Sequence, residues 1–234
     1  MDLLVFRVEA PLAGWGGAGA ASERRPAWDE PSKSGILGMV AAALGIDRKD
    51  SAALDALHRG YDFAVQTLRA PRLLIDYHTV QTVPQAKKAT TRAAMFASGK
   101  TTETLITRRE YATDGAWLCA LAARAQAPYE LAVLQAALRA PHFVLYAGRR
   151  ACPLAHPLDP QIVTEGTVAH AFATYRTTRG NGAGRIAPGT IYADAALAGA
   201  HGAVLRTRRD TLASAAGRRY ALREEYALAP VTPE

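Results

Sequence analysis

The chain has 234 residues, 49% of them hydrophobic, enough to bury a core and too apolar for a disordered tail. Its 28 basic and 21 acidic side chains leave a formal charge of +7. That charge points to a polyanionic partner, although 23 of the 28 are arginines in an alanine-rich chain, a bias that base composition of the coding sequence also produces. Two distant cysteines, Cys119 and Cys152, with no CxxC pair, exclude a disulfide framework and a zinc cluster. No segment approaches the ~20 apolar residues of a membrane span, and Arg7 and Glu9 break the N-terminal apolar run, so no signal peptide is read there. The expectation is a soluble, reduced, cytoplasmic protein without a cofactor.

Leu3 to Val8 is a short run of β-formers and predicts a strand. A glycine-rich loop, Gly14 to Gly19, leads into the charged segment SERRPAWDEP. A helix is expected from Ser34 to a stop at Gly45, and a second from Ser51 to His58, ending at Gly60. Tyr61–Leu68 and Leu73–Val80 predict two strands around a turn at Ala70–Pro71. From Gln81 to Thr107 hydrophobic periodicity vanishes while Lys87, Lys88, Arg92 and Lys100 accumulate. A stretch of that length with no core of its own is usually functional or disordered.

Gly115–Ala123 is a strong strand candidate, with Cys119 a small buried hydrophobe within it. Pro128 opens a helix over Tyr129–Leu138, and His142–Tyr146 predicts the next strand. Setting aside one strand beside the insertion, the order to residue 147 is the βαββαβ arrangement of ferredoxin-like folds, which RNA-recognition domains use. The rest, with β-like runs at Thr167–Tyr175, Ala203–Thr207 and Arg219–Leu228 and a turn at Gly180–Asn181–Gly182, predicts a smaller β-rich appendage.

LYAGRRACPLAHP, from Leu145 to Pro157, places Tyr146, Gly148, Arg149 and Arg150 in a loop stiffened by prolines. Arginine's planar fork fits phosphate oxygens and stacks on bases, so the loop suits single-stranded RNA; a basic surface turn is the plain alternative. Gly14 to Gly19 has dinucleotide-site spacing but runs into Ser22-Glu23-Arg24-Arg25-Pro26, not into a helix. Gly99-Lys100-Thr101 lacks the first glycine of a phosphate loop. Tyr77 and His78 end a strand and are usable groups for metal-independent RNA cleavage, or polar tips with local hydrogen bonds. Trp15 and Trp28 suit base stacking, core packing or a protein contact.

Five ordered blocks, within residues 7–158, resemble one family. They are the Arg7–Gly16 pattern containing AGWG, PSKSGILG with ALGI after it, DYHTV from Asp76, RREY from Arg108, and the GRRxCPLxHP block. The family is CasD, the fifth Cas family, RAMP-type subunits of the type I-E CRISPR Cascade. The resemblance implies an α+β, ferredoxin-like (RRM-like, RAMP) domain over 1–147 with a β-hairpin thumb at 81–110. An Arg-rich loop and β-rich region would fill 148–234.

The resemblance further implies a non-catalytic subunit that caps the 5′ handle of crRNA inside an antiviral ribonucleoprotein. Its partners would be the backbone, large, small and crRNA-processing subunits, with target DNA reached through the complex. Implied RNA contacts are Tyr146, Gly148, Arg149, Arg150, Lys33, Ser34, His78, Arg108 and Arg109, with Lys87, Lys88, Arg92 and Lys100 on the thumb. Type I-C relatives cleave precursor crRNA, so the alternative is a metal-independent endoribonuclease using Tyr77 and His78. Residues 10–14 read Ala-Pro-Leu-Ala-Gly where the family typically has Gly-Pro-Met-Gln-Ala, and no binding role passes to Ala13. The loop from Gly14 to Glu30, with the Ser34–Gly45 helix, is expected to pack on the large or adjacent backbone subunit; otherwise that helix faces the chain's own sheet.

Overall fold

A computed structural model describes residues 1–16, 23–84, 88–164, 166–179, 189–199, 203–217 and 219–229. Gly17, Gly19, Lys87 and the Gly180–Asn181–Gly182 turn lie outside them. The frame is one large, mainly antiparallel sheet whose main path runs β6-β1-β5-β3-β7-β9-β8. Its strands are β1 (Leu3–Ala13), β3 (Tyr61–Arg69), β5 (Glu103–Ala123), β6 (Gln161–Val163), β7 (Ile191–Ala193), β8 (Ala203–Ser214) and β9 (Arg219–Leu228). Off that path, β2 (Arg24–Arg25) and β4 (Arg72–Thr82) both pair with β5.

Both faces of the sheet are covered, which is why the start of β1, Leu3 to Phe6, reads as a continuous apolar run rather than an alternation. Leu4, Phe6 and Val8 face one core with α1 (Lys33–Leu44), α2 (Ser51–Gly60) and α4 (Leu131–Arg139). Leu3 and Val5 face a second core with α5 (Val168–Arg179) and α6 (Ala195–Ala198). α1 starts where Ser32 Oγ accepts the Gly35 N–H at 3.1 Å. It stops at Gly45, φ +76°, whose left-handed backbone lets Ile46 N–H reach Ala41 O at 2.9 Å. Ile36, Leu37 and Val40 are buried in the core, so one side of α1 packs on its own chain.

Two expected strands are absent. His142–Tyr146 is a loop, because His142 and Phe143 N–H are given to Ala43 and Ala42 carbonyls at 3.0 and 3.2 Å. Those carbonyls lie in the last turn of α1, where the helix leaves acceptors short of partners, although Ala42 O also takes the Gly45 N–H at 3.2 Å. The place beside β1 is taken by a later irregular segment: Gly14 N–H meets Ala147 O, Ala155 N–H meets Glu9 O, Arg7 N–H meets Leu158 O, and β6 follows. Pro153, Pro157 and Pro160 have no N–H for a ladder, which keeps that edge irregular. Thr167–Tyr175, expected as β-like, lies in α5: Val168, Ala171, Phe172 and Tyr175 are all buried, a spacing of three and four rather than two. Thr167 Oγ1 accepts the His170 N–H at 3.2 Å and starts the turn.

β5 is 21 residues long and serves two structures. Its second half pairs with β1 and β3 in the core. Its first half pairs with β4 without a break from Arg72↔Thr113 to Thr82↔Glu103, forming an arm. The short α3 (Arg92–Phe96) lies between these strands in sequence. The C-terminal third continues the sheet, since β7 pairs with β3 and β9 with β7.

Candidate nucleic-acid interface

The GRR loop is a tight turn laid across the end of β1. Ala147 N–H donates to Cys152 O and Cys152 N–H to Arg149 O, both at 2.8 Å. Gly148 has φ +78°, and a Cβ there would lie 2.3 Å from the carbonyl oxygen of Gly14. A Cβ at Gly14 would lie 2.6 Å from the Arg149 side chain. Two backbones and an arginine stem therefore cross in space that only glycine leaves open.

Arg149 uses its fork internally. Its guanidinium sits 4.6 Å from the centre of the Tyr111 ring. It donates to Glu110 O at 2.9 Å and to Arg25 O at 3.1 Å. It therefore bolts the turn to β5 and to β2, with those donors already spent. Arg150 is exposed and has no hydrogen-bond or ion-pair partner among the described residues, and Tyr146 is 40% exposed beside the turn. Below them the buried Glu110 carboxylate accepts from Arg24 Nε at 2.6 Å and from the Ala27 N–H at 3.3 Å.

The arm carries the other candidates. Tyr77 lies opposite Arg108, whose guanidinium is 5.9 Å from the tyrosine ring centre and 3.7 Å from the Glu23 carboxylate. His78 lies opposite Thr107 and next to the Asp76↔Arg109 pair, on the other face. Neighbours on a strand point to opposite sides, so Tyr77 and His78 do not converge on one 2′-hydroxyl, and the general-base pair the sequence suggests is not assembled. Arg109 and His78 are half-buried. Lys88, Arg92 and Lys100 are exposed, with Arg92 over the Phe96 ring at 5.3 Å. Leu73, Ile75, Tyr77, Leu105 and Ile106 are between 40% and 58% exposed on the same arm.

Lys33 corrects its expectation. It is buried, its ammonium is 2.6 Å from Asp194 Oδ2, and its N–H donates to Asp210 Oδ2 at 2.9 Å. It is a support rather than a surface for RNA. Ser34 is half-buried, its hydroxyl 3.5 Å from that of Ser32. Trp15 is in the core, edge-on to Trp117 with ring centres 5.6 Å apart. Trp28 is half-buried beneath the Arg208 guanidinium at 4.8 Å. Both tryptophans thus have partners within the chain.

Lys33 belongs to a buried charged network that the sequence did not reveal. Arg223 donates to Asp194 at 2.9 Å, to Asp210 at 2.8 Å and to Glu225 at 2.6 Å. Arg206 bonds Glu225 at 2.6 Å, and Arg208 lies 3.4 Å from the same carboxylate. Burial alone would raise the Asp210 pKa, but the Arg223 hydrogen bond and charge override it and hold it below the usual carboxylate value. The one available signal was the spacing: Arg206, Arg208 and Asp210 alternate along one face opposite Arg223 and Glu225. Charges on a strand are ordinarily read as a solvated face. Glu110 and Tyr111 were missed as supports because nothing in the RREY block says which side chain turns inward.

Comparison with known proteins places these features in a family. The family model described as CRISPR-associated protein (Cas_Cas5) matches residues 3–224. The chain is 30% identical over 227 residues, 96% of its length and 95% of the relative's, to "CRISPR system Cascade subunit CasD" of Escherichia coli (strain K12). Its fold is similar to a chain of a "CRISPR RNA-guided surveillance complex", with TM-score 0.69, 22% identity, and coverage of 99% and 91% of the two chains. It is also similar to a "Crystal structure of Cas protein", with TM-score 0.61, 22% identity, and coverage of 97% and 93%.

Proposed function

The chain belongs to the Cas5 family of CRISPR-associated proteins, and on that premise we propose that it caps the 5′ handle of crRNA in a cytoplasmic type I-E Cascade complex, without a catalytic role. The order β6-β1-β5-β3, with α1 and α4 on one face, supports reading residues 1–147 and the β6 edge as a ferredoxin-like RNA-binding domain. The β4–β5 arm is its thumb, and residues 148–234 supply the Arg-rich turn and its supports. The thumb presents Lys88, Arg92, Lys100 and Arg108 to crRNA. Its exposed Leu73, Ile75 and Leu105 meet the neighbouring backbone subunit. Antiviral defence, the other Cascade subunits and target DNA follow from membership of that complex.

The observation that carries the reading is Arg150. It stands exposed beside Tyr146, with no partner among the described residues, on a turn that Gly14, Gly148 and Arg149 hold in place. Preorganised arginine with an adjacent aromatic is the chemistry of a single-stranded RNA contact. The test is binding of crRNA handle RNA in the assembled complex. Arg150→Ala is expected to weaken binding by about 1.5–3 kcal/mol, with repeat RNA left intact by the wild-type chain with or without EDTA. Wild-type affinity and assembly in Arg150→Ala would overturn the reading. Specific repeat cleavage would replace it with processing.

A further inference from the structure

The segment from Arg24 to Pro31 is held from two sides. At its first end Arg24 meets Glu110, and Arg25 O accepts from Arg149. At its last end the donors come from β8, some 180 residues further along the chain. Arg208 donates to Glu30 O at 3.1 Å and to Pro31 O at 3.4 Å, and its guanidinium covers the Trp28 ring. Arg206 donates to the Glu30 carboxylate at 2.9 Å. Arg208 is fully buried, and it holds the segment both by two backbone carbonyls and by the Trp28 ring. Glu225 in turn fixes both arginines.

We propose that Arg206 and Arg208 are positioning residues for the RNA site: the C-terminal hairpin clamps residues 24–31, and that segment holds the Arg149 turn in register through the carbonyl of Arg25. The proposal rests on the handle-binding reading for its function, but the clamp itself can be observed without RNA. The planar fork is essential to it, because one ammonium cannot serve two carbonyls and cover an indole ring together. Arg208→Lys keeps the charge beside Glu225 and loses the fork. Arg206→Gln, at a partly exposed position, provides a second variant if the first does not fold.

The experiment is amide hydrogen exchange on the full chain, followed by titration with handle RNA. In either variant, the amides of residues 24–30 are expected to exchange about tenfold faster or more, while those of β1, β3 and β5 keep their protection. Handle affinity should fall about tenfold, and the loss should not add to that of Arg149→Ala, because both act through the same segment. Unchanged exchange at 24–30, or losses that simply add, would overturn the clamp. If the wild-type chain binds no handle RNA, the functional reading fails while the exchange result still decides whether the clamp exists.

Discussion

Two hairpins leave the same sheet and solve opposite problems. The β8–β9 hairpin turns charge inward: Arg208 pairs with Glu225 and Arg223 with Asp210, against α1 and the Glu30–Pro31 backbone. The β4–β5 arm turns apolar groups outward, with Leu73, Ile75 and Leu105 more than half exposed on unbroken strand pairing. Buried ions that hold one another fix one arrangement of the chain, since any slip strands an ion in a dry site. Exposed apolar surface fixes nothing within the chain and awaits another surface. The first hairpin is therefore read as a support and the second as a contact.

The comparison is broken most severely in the charged hairpin. Arg223→Met removes the cation shared by Asp194, Asp210 and Glu225 and should destabilise the chain by about 3–5 kcal/mol in urea unfolding. A loss near zero would mean that the network is not what holds β8–β9. Acid should act on the same region. His58, buried beside Lys33, is pushed down from 6.5 to about 4 by desolvation first and by the Lys33 charge second. Between those values the unfolded chain takes up a proton that the folded chain refuses, so stability present above pH 6.5 is lost on going down to pH 4, by roughly 3 kcal/mol. His58→Leu should flatten that slope, and an unchanged slope between pH 4 and 6.5 would assign it elsewhere.

Gly148→Ala comes next. A left-handed φ and a 2.3 Å approach to Gly14 O should cost about 1–3 kcal/mol, read as a lower unfolding midpoint and weaker handle binding together. The arm sits at the small end: Ile75→Thr with Leu105→Thr should shift stability by less than about 0.5 kcal/mol per site yet impair complex assembly. Severe unfolding would show that the arm is packed rather than presented.

What the sequence discloses follows the same division. Elements whose signal is local were legible: α1, expected from Ser34 and found from Lys33 to a stop at Gly45, the β3–β4 turn, and the buried strand around Cys119, whose thiol pKa burial drives well up. The matched blocks located the Arg149–Arg150 turn, but its inner workings were not legible. Which arginine turns inward depends on Tyr111 and on carbonyls of Arg25 and Glu110, distant in sequence. HFVLY has strand propensity, yet its amides were claimed by the end of α1. Thr167–Tyr175 has β-forming composition but helical spacing, and the spacing is what the fold follows. The charged hairpin was hidden because burial of an ion pair is a property of two strands at once.

The most direct measurement is site-resolved photocrosslinking from a 4-thiouridine-substituted crRNA handle within the assembled complex. The account predicts crosslinks at Tyr146–Arg150 and along the arm near Arg108, with none on β8–β9. Crosslinks concentrated on β8–β9, with the Arg150 turn untouched, would contradict it.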